Sequence, residues 1–322
     1  VESSWETQSI LIGIYGLVFF GGILRAFFGP IIFSLIALIV PKHVYPNAAT
    51  WSSSTWKGAA VTGALCAGFL IAWIDVHYTL GIVFFLVVFA LIVVFLIKRK
   101  PILNQKTQET VKESLKAGLT FVFKDKVILG ALTLDMVAVL FGGAVAIFAV
   151  FAKDVLDAGP KGFGILNAAL SSGSIITMLA TTHLPITKNT GKKLLVAVFG
   201  FGLCMIVFGV SKLFWLSVVA LFFAGVFDGV SMVIRQTILQ LKTPDDMRGR
   251  VGAVNSMFVG SSNELGALES GIAAKLFGAP LAVVLGGTAT LFTVIIMVLK
   301  NKPLKNLDLT YDVEEYQEGL ES

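Results

Sequence analysis

Long apolar segments dominate the chain, and short breaks rich in Pro, Gly and charge separate them. A helix crosses a bilayer core of about 30 Å with roughly 20 apolar residues, so the pattern predicts nine membrane spans. Their approximate limits are 10–33, 54–74, 79–97, 127–151, 162–182, 194–211, 214–239, 251–276 and 279–299. The predicted fold class is therefore an all-α polytopic membrane protein.

One longer break, at 98–126, is basic and leaves three spans before it and six after it. It contains a predicted amphipathic helix at about 109–124, which would lie along the membrane surface. We predict four regions in the chain. They are the remainder of an N-terminal half at 1–97, a cytoplasmic linker at 98–126, a six-helix C-terminal half at 127–300 and a cytoplasmic tail at 301–322.

Composition excludes several classes of protein. The chain is 56% hydrophobic and 14% charged, which is too apolar for a soluble domain. Its net charge of +5 comes from short loops and forms no stripe that would bind nucleic acid. The two cysteines and three histidines have no metal-ligand spacing, and no nucleophile stands near a base. We therefore expect no enzyme, no metal site and no cofactor.

The distribution of Lys and Arg predicts the orientation. Alternate breaks including 98–126 and the tail hold eighteen of these residues, whereas the opposite set holds three. Because positive residues favour the cytoplasmic side, the linker and the C-terminus are predicted to be cytoplasmic and the first residue to lie outside. Three further spans upstream would complete a plan of six helices, a linker and six helices.

Local motifs of the chain resemble those of the major facilitator superfamily, which has this plan. LRAFFGP at 24–30 resembles the fourth helix and following loop of the branch that contains enterobactin exporters. DDMRGRV at 245–251 resembles that branch's loop before helix eleven, and FGAP at 277–280 its last outer turn. The resemblance runs from helix four to the end, so it implies a major facilitator fold with nine of an expected twelve transmembrane helices.

Two departures from the family pattern bear on the mechanism. TGALCAG at 62–68 keeps only part of the Gly- and Pro-rich signature of antiporters. KNTGKK at 188–193 keeps the glycine and basic pair of a family loop motif but lacks its acid, which argues against a charge-relay gate there. The resemblance still implies these gating-loop candidates: Gly191, Lys192, Lys193, Asp245, Arg248, Gly249 and Arg250.

The resemblance also implies that three of the spans line a central cavity, and each carries one charge well inside: Arg25, Asp135 and Asp228. Such a charge costs roughly 2.5–3.5 kcal/mol on insertion scales, so it needs a partner or a wet path. Arg25 would bind an anionic substrate group, lower the pKa of a facing acid, or pair permanently with an acid on a helix upstream of Val1. Asp135 stands alone in its span and would carry a proton or hydrogen-bond to a neighbouring helix.

Asp228 has two interpretations. It would act in the cavity, or it would pair with Arg235, which otherwise extends towards the cytoplasm. Gly225 and Gly229 flank it at a spacing that predicts a closely packed neighbouring helix.

Polar residues of span 251–276 recur every seven positions in two adjoining lines: Asn255, Ser262 and Glu269, then Ser256, Asn263 and Ser270. On a helix they form one broad face with Glu264 at its edge, and we expect that face to border a water-filled cavity. The predicted substrate and proton pathway thus comprises Arg25, Asp135, Asp228, Glu264, Glu269, Asn255 and Asn263.

These features predict a secondary active transporter of the bacterial inner membrane. It would be a monomeric, proton-coupled antiporter that exports an amphipathic siderophore or drug-like molecule by alternating access. Its partners would be the small-molecule substrate, protons and the lipid bilayer. The alternatives left open are an uptake carrier for a small solute, and a membrane scaffold or truncated relic that transports nothing.

Overall fold

A computed structural model of the chain describes residues 9, 11–24, 45–96, 111–142, 144–183, 188–244 and 247–310, and its regular elements there are helices. The chain divides into two compact units, residues 1–56 with 87–107 and residues 57–86 with 108–322. The first unit includes α1, Leu11–Leu24. It also includes both ends of α2, Tyr45–Phe95.

The break predicted between the second and third spans is a single residue inside α2. Asp75 has φ 74° and ψ 161°, and the dihedral angles on both sides of it are helical. Its carboxylate accepts a hydrogen bond from the His77 amide at 3.3 Å, and its carbonyl accepts one from Thr79 Oγ1 at 2.8 Å. These two bonds satisfy polar groups that the interrupted helix leaves without a helical partner.

The remaining helices belong to the second unit. They are α3, Val111–Lys124; α4, Lys126–Gly142; α5, Gly159–His183; α6, Thr190–Val210; α7, Phe214–Lys242; α8, Arg248–Phe277; and α9, Ala279–Lys300. Between α4 and α5 the chain continues through a 3₁₀ turn, Ala144–Ile147, one α turn, and a π turn, Phe151–Val155. A one-turn helix, Lys302–Lys305, follows α9.

Six helical segments of the described ranges are long and apolar enough to cross a membrane: Leu65–Phe95, Lys126–Val155, Gly159–Thr181, Thr190–Val210, Phe214–Lys242 and Ala279–Lys300. The expected count of nine is therefore not confirmed. The α1 helix is too short in its described part. The α8 helix has 30 residues, but its Gly, Ser, Asn and Glu residues lower its average hydropathy.

Glycines bring the helices of the second unit into backbone contact. A Cβ atom on Gly286 of α9 would overlap the carbonyl oxygen of Phe141 on α4. One on Gly225 of α7 would overlap the carbonyl oxygen of Leu170 on α5. The predicted close packing beside Asp228 is thus confirmed. Such contacts suit helices in lipid, where van der Waals packing holds the bundle together.

The predicted amphipathic helix is present as α3 and packs against the start of α8. A Cβ atom on Gly118 would lie 2.8 Å from the Arg250 carbonyl oxygen, and Val122 is fully buried. Phe123 is 59% exposed, and its ring lies 6.4 Å from that of Phe258. The placement of this helix on the membrane surface stays a prediction.

Candidate functional site

Asp135 of α4 and Arg235 of α7 form an ion pair inside the bundle. Asp135 is 8% exposed and Arg235 is 4% exposed. The alternative in which Asp135 bonds to a neighbouring helix is therefore confirmed, whereas the expectation that Arg235 extends towards the cytoplasm is wrong, because its side chain is buried beside Asp135. Two charges removed from water together cost less than either one alone, since each compensates the other. The pair therefore gives both residues a reason to be buried.

The positions of the two residues along their helices explain how they meet. Asp135 lies nine residues after the start of α4, and Arg235 lies seven residues before the end of α7. At 1.5 Å per residue these offsets are about 13 and about 10 Å. Successive helices alternate in direction across a bilayer, so the start of α4 and the end of α7 face the same side. The two side chains then lie at similar depths.

Asp228 lies at the midpoint of α7 and faces α5. Its Oδ2 accepts a hydrogen bond from Ser174 Oγ at 3.2 Å, and that hydroxyl lies 2.9 Å from the Gly225 carbonyl oxygen. Thr177 Oγ1 lies 3.1 Å from the Val226 carbonyl oxygen, one turn further along α5. The α5–α7 contact thus places one hydroxyl group against the Asp228 carboxylate and a second against the α7 backbone.

Asp228 and Arg235 belong to one polar track along α7. Asp228 and Arg235 are seven residues apart, so they lie on nearly the same face, roughly 10 Å apart along the axis. Arg235 forms an ion pair with Asp135 of α4. The α7 helix therefore carries both the Asp228 carboxylate, which Ser174 of α5 contacts, and Arg235, which pairs with Asp135 of α4.

The polar face of α8 divides into a buried part and an exposed part. Ser262 and Ser270 are buried, as is Gly266, whose Cβ position would lie 3.0 Å from the Leu140 carbonyl oxygen of α4. Two serines of the predicted polar face thus pack inside the bundle, whereas Ser256, Asn263 and Glu264 are exposed. The contact of this face with a water-filled cavity stays a prediction.

Other candidates on α8 have mixed surroundings. Glu269 is half-buried. Asn255 is also half-buried, and its Oδ1 is buried without a hydrogen-bond partner among the described residues. Asn263 Nδ2 donates to the Val259 carbonyl oxygen at 2.8 Å, within its own helix. These side chains share a helix but not one site.

The gating-loop candidates also differ in their surroundings. Gly191 is buried at the start of α6, whereas Lys192 and Lys193 beside it are exposed. Arg248 and Gly249 are exposed at the start of α8, and Arg250 is half-buried. Arg25 and Asp245 lie outside the described residues.

Sequence reasoning missed Ser174, Arg235 as the partner of Asp135, and Asp308 beyond α9. The run of small polar residues at 171–174 was the available signal for Ser174. Asp308 accepts a hydrogen bond from the Asn189 amide at 2.9 Å, a contact between residues 119 positions apart that no local pattern predicts. The described residues contain no group of three His, Cys, Asp or Glu that could hold a metal ion.

Comparison with known proteins adds a family and several relatives. The family model described as Major Facilitator Superfamily matches residues 4–267. Enterobactin exporter EntS of Shigella flexneri is 28% identical over 142 residues, which cover 44% of this chain and 33% of the relative. EntS of Escherichia coli O1:K1 / APEC shows the same identity and covers 34% of its length.

A third relative matches over a shorter stretch. EntS of Citrobacter koseri is 31% identical over 91 residues, which cover 28% of this chain and 22% of the relative. The matched stretches therefore span about a third or less of the length of these relatives.

Proposed function

The chain belongs to the Major Facilitator Superfamily, and from that premise we propose that it exports an amphipathic small molecule in exchange for protons. Members of this family are membrane transporters and not enzymes. The proposed mechanism is alternating access, in which two groups of helices rock about a site near the bilayer midplane. The proposed location is the bacterial inner membrane, with the C-terminus in the cytoplasm and the protein acting as a monomer.

The buried Asp135–Arg235 pair is the observation that carries this proposal. Charged residues deep in a membrane bundle mark ion or substrate pathways more often than static supports. Replacing such a pair by apolar residues commonly leaves stability unchanged or raises it, so stability alone is a weak reason to keep it. In a transporter, a stronger reason to keep the pair is that protonation of its acid can break it.

The proton step assigns different tasks to the two acids. When Asp135 takes up a proton it becomes neutral and releases the Arg235 guanidinium, whose Nε has no hydrogen-bond partner among the described residues. The freed guanidinium can then bind an anionic group of the substrate. Asp228, at the midpoint of α7, is the second proton carrier and is positioned by Ser174.

The substrate class is inferred from the relatives and from the composition. The relatives are named as exporters of enterobactin. The chain has few charged residues and many apolar and aromatic ones, including 26 Phe. A siderophore or drug-like molecule with an apolar body and a few polar groups fits that composition.

The test is flux through the full-length protein in proteoliposomes. An imposed pH gradient should drive enterobactin or a lipophilic dye across the membrane, with proton counter-movement followed by an internal pH dye. Asp135→Asn and Asp228→Asn should each lower proton-driven flux at least about tenfold, since each removes one protonatable group. Asp125→Asn is the matched control, because Asp125 only caps α4, through the Val127 and Ile128 amides, and Asn also caps helices.

Other results of the flux experiment would favour other functions. If both Asn variants keep full proton-driven flux, these acids do not couple transport to protons. Substrate flux into the proton-poor compartment, in the same direction as the protons, would favour an uptake carrier. Folded protein that moves no probe would favour the scaffold or relic.

A further inference from the structure

Residues 301–310 lie against the end of the bundle where α4 and α6 begin. Asn301 Nδ2 donates a hydrogen bond to the Lys126 carbonyl oxygen at the start of α4, at 2.9 Å. Gly191 N, at the start of α6, donates one to the Leu307 carbonyl oxygen at 3.1 Å. One short segment after α9 therefore bonds to two other helices at their first turns.

The segment is also held by apolar contacts. Leu304 and Leu309 are fully buried, and Leu307 is 8% exposed. A Cβ atom on Gly191 would overlap the Leu304 carbonyl oxygen, so the first turn of α6 has no space between itself and the segment. A freely moving tail would not bury three leucines, because each buried side chain must also lose conformational freedom.

Asp308 brings an acid to a basic loop that has none of its own. Its Oδ2 accepts a hydrogen bond from the Asn189 amide at 2.9 Å, and its Oδ1 accepts two from Thr310, at 3.0 and 2.6 Å. Asn189 precedes α6 in a left-handed conformation, φ 51°, and its own side chain forms no capping bond. A negative charge is favoured at this end of a helix.

The pKa of Asp308 is consistent with a formed contact. The Asn189 amide, followed by Thr310, lowers it from 3.8 to about 2, and Lys188 adds a smaller electrostatic contribution. The carboxylate is therefore ionised at neutral pH, when it accepts these hydrogen bonds.

We propose that residues 301–310 form a clasp, in which Asp308 is a positioning residue for the loop that carries Lys192 and Lys193. The clasp joins the first turns of α4 and α6, so the loop moves relative to α4 only when the clasp opens. Given the transporter proposed above, the clasp fixes the position of Lys192 and Lys193 on this group of helices, and that position sets how fast the two groups change between their access states. Asp308 bonds to the residue that precedes α6, at the end of the bundle where α4 also begins, whereas Asp135 lies about 13 Å along α4 from that end. Substrate affinity should therefore not depend on Asp308.

The test combines a local measurement with a transport measurement on the full-length protein in lipid nanodiscs or proteoliposomes. Asp308→Ala should speed amide hydrogen exchange in residues 188–195 by roughly two- to tenfold, the range for losing one hydrogen bond. Asp308→Asn keeps one acceptor oxygen and should give an intermediate rate. Lys302→Ala is the matched control, because Lys302 is exposed in the same segment and its side chain is not part of the clasp.

Transport of the enterobactin or dye probe should change in maximal rate by at least about twofold in Asp308→Ala, with an unchanged half-saturation concentration. If amide hydrogen exchange in residues 188–195 is equally fast in Asp308→Ala and Lys302→Ala, the proposal that Asp308 holds this loop in a clasp is overturned. Faster exchange with an unaltered maximal rate would overturn its role in the access change. The exchange measurement needs no substrate, so it decides on the clasp even if the transporter proposal fails.

Discussion

Breaking the Asp135–Arg235 pair one residue at a time tests whether it is a true buried ion pair. Arg235→Met leaves the Asp135 carboxylate without its cation, and Asp135→Asn leaves the guanidinium without its anion. Both residues are less than a tenth exposed. Removing one partner of a buried pair costs about 3–5 kcal/mol, whereas replacing both is often neutral. We expect about 3 kcal/mol for each single variant, because helices that unfold within a bilayer still find polar partners.

The double variant should lose about 1 kcal/mol, so the two changes should be strongly non-additive. Equilibrium unfolding of the full-length protein in SDS and mixed micelles, followed by tryptophan fluorescence, measures all four free energies of unfolding. Asp154→Asn is the control, because Asp154 is exposed and its replacement should stay within about 0.5 kcal/mol of the original protein. Single changes that add within about 0.5 kcal/mol would refute the pair and the proton step built on it.

Three further predictions concern other contacts. Gly286→Ala should destabilise the protein by about 1–3 kcal/mol through overlap with the Phe141 carbonyl. Gly271→Ala should leave stability unchanged, because the space around Gly271 is open. Equal melting temperatures for the Gly286→Ala and Gly271→Ala variants would contradict the close contact. Ser174→Ala should cost about 0.5–1.5 kcal/mol in chemical unfolding and also slow transport, since it removes a hydrogen bond to the Asp228 carboxylate; unchanged stability and flux would contradict that role. The pKa of Asp308 is depressed to about 2, so its contact is complete above the ordinary value of 3.8 and is lost as pH falls through about 2. Exchange at residues 188–195, corrected for the intrinsic chemical rate, should therefore not change between about pH 5 and pH 8, and a change there would contradict this assignment.

Much of the helical pattern follows from the sequence because it depends on local properties. Apolar length and the Pro- and Gly-rich breaks predict where helices begin and end, and five of the predicted spans from 127 onwards correspond to apolar helices of membrane-crossing length. The break before residue 79 is narrower than predicted, because one residue with a positive φ interrupts α2. Average hydropathy alone does not identify α8 as a span, since the residues that make it polar are spread along its whole length.

The sequence also predicts how deep the charged residues lie in the bundle, since the distance of a residue from the end of its helix follows from its position. It does not predict which residues these charges contact. Asp135 pairs with Arg235, and Ser174 reaches Asp228, because α4, α5 and α7 are rotated about their axes so that these faces meet.

That rotation is set by contacts between residues far apart in the chain, such as Gly225 with Leu170 and Gly286 with Phe141. The contact of Asp308 with Asn189 is also set by packing, because the two residues are 119 positions apart and no local sequence pattern relates them. The sequence by itself determined that the chain is built of apolar helices, where most of the helices from 127 onwards lie, and how far each buried charge stands from the end of its helix. Only the tertiary structure decided which charges meet, because helix rotation depends on packing summed over several neighbouring helices at once.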